Sequence, residues 1–156
     1  MPAGRATRHR RRMKILLRIG IVAVFIVGGL IFRDRLGGSP AELQLGDCFD
    51  VPTKAGETVN DVQHHPCTET HTAEVILLAK HPAAKGAKEP TDAELRSYLI
   101  DTCGGALGRY VGGDTDKFDL GAFYPTEEDW KNGDRGVTCY MTMLDESPMT
   151  VSYKSS

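Results

Sequence analysis

The sequence predicts a small α+β domain, a largely antiparallel sheet packed on one main helix and braced by two disulfides, preceded by a single N-terminal transmembrane helix. Three observations point there: an apolar run behind a basic N-terminus, four cysteines confined to the chain beyond that run, and strand-like segments on both sides of one amphipathic stretch.

Residues 1–14 make a basic tail carrying Arg5, Arg8, Arg10, Arg11, Arg12 and Lys14. Residues 15–32 are apolar except for Arg18, and as a helix rising about 1.5 Å per residue they would span roughly 27 Å, enough for a bilayer core. Arg18 lies at the basic end, where its side chain reaches the headgroups. The excess of cations before the span sets the N-terminus inside the cell and everything after the span outside. A cleaved signal peptide shares this layout. The run closes on Gly28-Gly29-Leu30-Ile31-Phe32-Arg33-Asp34 without a small-x-small cleavage site, so an uncleaved signal anchor is expected. No Leu-x-x-Cys lipobox stands at the span, and no lipid anchor is expected.

Residues 33–42 form a juxtamembrane linker around Gly37-Gly38-Ser39-Pro40, and residues 43–156 a single extracytoplasmic domain. Beyond residue 35, twenty Asp and Glu outnumber ten Lys and Arg, a net charge of −10. Such a surface argues against nucleic acid as a partner and favours a basic patch on a protein partner. The basic tail is accounted for by topogenesis and anionic inner-leaflet lipid.

Cys48, Cys67, Cys103 and Cys139 all fall in the exterior part, which reads as two disulfides outside the reducing cytosol. Three connectivities are open. The sequential one, Cys48–Cys67 with Cys103–Cys139, closes the shortest loops and is favoured, although spacing alone does not choose.

Val59 to Val62 and Ala73 to Ala79 are expected strands, the second almost continuously apolar and therefore central. Between them lies the polar corner His64-His65-Pro66-Cys67. Thr91-Asp92-Ala93-Glu94 matches a capping box, and Leu95, Leu99, Ile100, Cys103, Leu107, Tyr110 and Val111 then recur at steps of three or four, predicting a helix that ends at Gly112-Gly113. Gly104-Gly105 within it predicts a kink or a close backbone approach. Phe118 to Tyr124, Val137 to Leu144, and Met149 to Tyr153 across the Asp145-Glu146-Ser147-Pro148 turn are the remaining expected strands.

Several short motifs in order resemble the actinobacterial septum-formation domain. They are Leu45-Gly46-Asp47-Cys48-Phe49; Val62-Gln63-His64-His65-Pro66-Cys67 followed by His71-Thr72-Ala73-Glu74-Val75; Cys103 with Tyr110 downstream; and Pro125 with Trp130-Lys131-Asn132-Gly133-Asp134-Arg135 leading to Cys139. The family's Cys-x-x-Pro-His element reads here Cys67-Thr68-Glu69-Thr70-His71, with Thr70 in the proline's place. The resemblance covers about residues 43–144 and implies a membrane-anchored domain outside the cell, connected with cell division and without catalytic activity.

Asp47, His71, Glu74, Trp130, Asp134 and Arg135 are the candidate structural or ligand-contact residues. Each has a plain structural reading: Gly46-Asp47-Cys48 a tight turn entering a bridge, Asn132-Gly133 a turn of positive φ, and Arg135 a brace through a bidentate carboxylate, with Glu74 or Asp47 as partner. His64, His65, Cys67 and His71 have the residue types of a zinc site. An oxidised Cys67 offers no thiolate, and no His-Glu-x-x-His helix is present, so His64, His65 and His71 are only weak metal candidates and no cofactor is expected. The simpler expectation is that His71 hydrogen-bonds backbone or Glu74 while His64 and His65 face solvent. Glu127-Glu128-Asp129 with Asp134 lacks the spacing of a calcium loop and reads as a solvated turn. No Gly-x-Ser-x-Gly or Ser-x-x-Lys nucleophile motif occurs.

The expected function is a non-enzymatic extracytoplasmic interaction module in septum formation or cell-envelope assembly, its partners the membrane it spans and other envelope or division proteins. The alternative is a metal- or carboxylate-dependent enzyme acting on envelope polymers.

Overall fold

The computed structural model describes residues 37–51 and 59–155. The tail, the expected span at 15–32 and the first residues of the linker lie outside these. Among the described residues no helix is long and apolar enough to cross a membrane.

The elements run β1 (Gly37–Gly38), a 3-10 turn (Pro40–Glu42), β2 (Cys48–Asp50), β3 (Val62–His65), β4 (Ala73–Lys80), α1 (Asp92–Val111), β5 (Phe118–Phe123), α2 (Glu127–Asn132) and β6 (Gly136–Met143). The six strands form one sheet in the order β1-β3-β2-β4-β6-β5, antiparallel throughout. Because β3 and β4 both pair antiparallel with β2, they run parallel to each other, and residues 66–72 carry the chain across β2; β4 and β5 flank β6 in the same way, and that longer crossing is made by the helix α1.

Helix α1 begins where Thr91 accepts from the Glu94 N–H and Glu94 reaches back to the Thr91 N–H. It ends at Gly112, whose φ of 69° is left-handed and whose N–H closes on the Gly108 carbonyl. Helix α1 is continuous from Asp92 to Val111, and of the two alternatives expected at Gly104-Gly105 the close backbone approach is absent at Gly104, where a Cβ would meet nothing within 4 Å. No neighbouring backbone requires glycine there.

The alternation of β6 sorts the core into two layers. Val137, Cys139 and Met141 turn to the α1 side, where they pack with Ile76, Cys103, Ala106, Leu107, Tyr110 and Phe118. Tyr140 turns the other way, into a cluster with Leu43, Phe49, Val62, Ala73 and Val75. There Phe49, Tyr140 and Phe123 stack with ring centroids 4.9–5.8 Å apart. Burying each large side chain contributes about 1.5–3 kcal/mol, and edge-on aromatic packing adds to that. A register shift in β4 between Val75 and Leu77 inserts Ile76, so Ile76 and Leu77 both pack on the α1 side. The apolar continuity of Ala73 to Ala79 therefore reflects a central strand with a bulge in it.

Disulfides join Cys48 to Cys67 and Cys103 to Cys139. The first ties β2 to the turn after β3, and the second ties the inward face of α1 to the centre of β6. For loops of 19 and 36 residues the entropic contributions are about 3 and about 4 kcal/mol.

Three expected elements differ. The strand placed at Val59 to Val62 runs instead over Val62–His65, because its pairing with Cys48–Asp50 draws the histidines into the ladder. Met149 to Tyr153 is not a strand: Met149 forms an isolated bridge with His71, and the chain then leaves the sheet. The acidic run at 127–129 is the first turn of helix α2, capped by Thr126 in a second capping box with Asp129.

Candidate functional site

The polar residues singled out by sequence fall into three places rather than one site. The first is centred on Glu74, which points from β4 into the α1 side of the domain and has no exposed surface. Its Oε1 accepts from the Tyr110 hydroxyl at 2.6 Å and from the Ser152 hydroxyl, and its Oε2 accepts from the Tyr153 N–H at 2.9 Å. Three donors thus answer a buried carboxylate that, among the described residues, no cation touches. They come from α1 and from the segment after Met149. Burial, then the hydrogen bond to Glu74 and its charge, raise the Tyr110 hydroxyl far above the ordinary tyrosine range. The C-terminal segment completes this lock: the Ser155 N–H donates to the Tyr110 carbonyl, and the Tyr153 ring packs edge-on against Phe118.

The second place is the histidine corner. His71 is wholly buried, and its Nδ1 donates to the Glu69 carbonyl at 2.8 Å. Among the described residues its Nε2 meets no hydrogen-bond partner. His64 and His65 do not simply face solvent as expected. His64 is buried with Nδ1 4.0 Å from Asp47 Oδ2, and His65 Nε2 lies 2.8 Å from Asp50 Oδ2. The strand alternation sends these two rings to opposite faces of the sheet, and among the described residues no three His, Cys, Asp or Glu side chains gather where they would hold a metal. Asp47 also closes its own turn: its Oδ2 accepts from the Gln44 N–H at 2.8 Å, beside Gly46 at φ 89°.

The third place is the Trp130–Arg135 clamp. The Trp130 indole N–H donates to the Ala87 carbonyl, and the Arg135 guanidinium stacks 3.7 Å over the Trp130 ring. Arg135 does not brace a carboxylate on Glu74 or Asp47. It donates to the carbonyls of Ala83, Ala84, Trp130 and Asp134 instead. The expected bidentate partner is replaced because Arg135 stands in the short link between α2 and β6, where the loop at 83–87 presents its carbonyls. Asp134 Oδ1 accepts from the Gly136 N–H, and Gly133 ends α2 at φ 96°. His81, Tyr124, Pro125 and Trp130 line a shallow depression beside this clamp.

Sequence reasoning left out Ser152, Tyr153 and Asp50 as partners of these residues. Asp50 carried a signal, since a strand placed at Cys48–Asp50 sets it beside the histidines. Ser152 lies 78 residues from Glu74 and carried none.

In comparison with known proteins, a family model described as septum formation matches residues 45–156. No curated protein and no solved structure matches the chain.

Proposed function

The chain belongs to the septum-formation family, and from that premise we propose that it acts in septum formation as a membrane-anchored, non-catalytic interaction module outside the cell. The observation that carries this reading is where the reactive side chains went. Glu74 and His71, the carboxylate and imidazole nearest to catalytic chemistry, have no exposed surface, and each is held by groups of the domain itself. A reacting atom has to come within hydrogen-bond reach of its base. What the domain turns outward is charge, with ten more acidic than basic side chains beyond residue 35.

Anchoring is supported by the sequence alone: eighteen residues at 15–32 broken only by Arg18, with cations gathered on their N-terminal side. The two disulfides fit a domain kept in an oxidising compartment. Partners are envelope or division proteins that present basic surface.

The test is a fluorescent fusion that is active only outside the cytoplasm, placed after residue 155 of the full chain in its native host. The reading predicts signal at the membrane with enrichment at growing septa. Signal spread evenly over the membrane, or a fusion active only when moved inside, would overturn it.

A further inference from the structure

Strand β5 ends the sheet, and among the described residues β6 is the only strand that pairs with it. The hydrogen bonds identify which main-chain groups face outward. The Phe118 N–H donates to the Thr115 carbonyl at 3.0 Å, and the Leu120 N–H to the side chain of Asp119 at 2.8 Å, so neither is used by β6. With a period of two, the N–H and C=O groups of Phe118, Leu120 and Ala122 point away from the sheet. A strand of six residues, about 20 Å long, therefore offers carbonyls on alternate residues and the Ala122 N–H to a further strand. It contains none of the proline or lysine by which exposed edges are commonly blunted.

The two faces of that edge differ in chemistry. Leu120, 36 % exposed, belongs to the α1 side with Ala122, while Asp119 lies on the Tyr140 side. Asp114 and Asp116 precede the strand, and Glu128 and Asp129 follow it beyond Tyr124, which is 52 % exposed. Of the two lysines in this stretch, Lys131 is paired with Glu127 at 2.6 Å and Lys117 lies over the rings of Phe118 and Tyr153. The edge is acidic as well as open. Pairing with a second copy of β5 would bring acidic edge against acidic edge, which opposes self-association.

We propose that the outer edge of β5 is a docking surface for an extended segment of a partner protein that adds as a seventh strand, with Lys or Arg on the Asp119 side alternating with β-branched apolar residues on the Leu120 side. Main-chain bonds supply the pairing, and the alternate side chains supply selectivity. This deepens the interaction-module reading and rests on it.

The test uses the full-length chain in detergent, with a labelled, acetylated Lys-Val-Lys-Val-Lys-Val peptide followed by fluorescence anisotropy. Controls are the Glu-Val alternating peptide and a Lys-Lys-Lys-Val-Val-Val peptide of the same composition. The expected result is binding at least ten-fold tighter for the alternating basic peptide, with slowed hydrogen exchange at the Ala122 amide. Ala122→Pro, which removes the one N–H the strand offers outward and none that β6 uses, and Asp119→Lys should each weaken binding at least ten-fold. Equal binding of the control peptides, protection elsewhere in the domain, unchanged binding by folded Asp119→Lys, or a dimer through β5 in the mass of the native chain would overturn the proposal. Failure here with septal enrichment intact would refute the edge alone. Peptide binding without septal enrichment would refute the cellular setting alone.

Discussion

Replacing Tyr110 by Phe removes one hydroxyl and leaves the ring. That hydroxyl donates 2.6 Å to a wholly buried carboxylate, and hydrogen bonds to charged groups contribute about 1.5–3 kcal/mol. Glu74 keeps Ser152 and the Tyr153 N–H, so the carboxylate is weakened rather than abandoned. The expected loss is about 2 kcal/mol, which for a domain of roughly 120 residues lowers Tm by about 8 °C. Urea unfolding with both disulfides intact measures it, and the same assay on Glu74→Gln and on the double variant gives the coupling. The two losses should fall short of additivity by at least 1 kcal/mol, since Tyr110→Phe removes the hydrogen bond whose charge Glu74→Gln removes. A Tyr110→Phe variant within 0.5 kcal/mol of the wild type, or fully additive losses, would refute the account of Glu74 as the point joining α1, β4 and the C-terminal segment.

The same hydroxyl sets a pH dependence. Its folded pKa lies above the unfolded value of about 10, so the unfolded chain loses its proton first. The stability it contributes is whole below pH 10 and falls by about 1.4 kcal/mol per pH unit above it, and Tyr110→Phe should remove one proton's worth of that slope between pH 10 and 11. Gly104→Ala should stabilise the domain by about 1 kcal/mol in urea unfolding, because a Cβ there meets nothing and a helix interior favours alanine. Gly121→Ala should do the opposite, by about 1–3 kcal/mol, because a Cβ there would lie 2.2 Å from the Tyr140 ring; near-ultraviolet circular dichroism should show the ring displaced. Replacing Cys103 and Cys139 together by Ser should cost about 4 kcal/mol, more than the about 3 kcal/mol expected for the Cys48–Cys67 pair with its shorter loop.

What could be read from sequence was what local chemistry decides. The capping box at Thr91 and the glycine at 112 bound α1 because both signals act within four residues. The same reasoning was available at Thr126-Glu127-Glu128-Asp129, and the acidic run there obscured it. Longer-range facts were hidden. Nothing near Met149 shows that the chain will turn away from the sheet to give Ser152 and Tyr153 to Glu74, since a run of β-formers reads as a strand wherever it stands. Arg135 was expected to seek a carboxylate because charge is visible in sequence; the carbonyls of Ala83 and Ala84 that it meets are not. The histidines resembled a metal site in one dimension, and strand alternation separates two of them onto opposite faces.

The central claim is that the domain acts in septum formation by contact rather than by chemistry. The direct measurement is depletion of the protein in its native host, followed by complementation with three chains. These are the wild type, a chain whose residues 36–156 are replaced by an inert exported domain, and a folded His71→Ala chain. The account predicts that the wild type and His71→Ala restore septa at normal spacing while the replacement reaches the membrane and does not. Septa restored by the replacement would contradict the role of the domain. Loss of septa with a folded His71→Ala chain would contradict the non-catalytic reading.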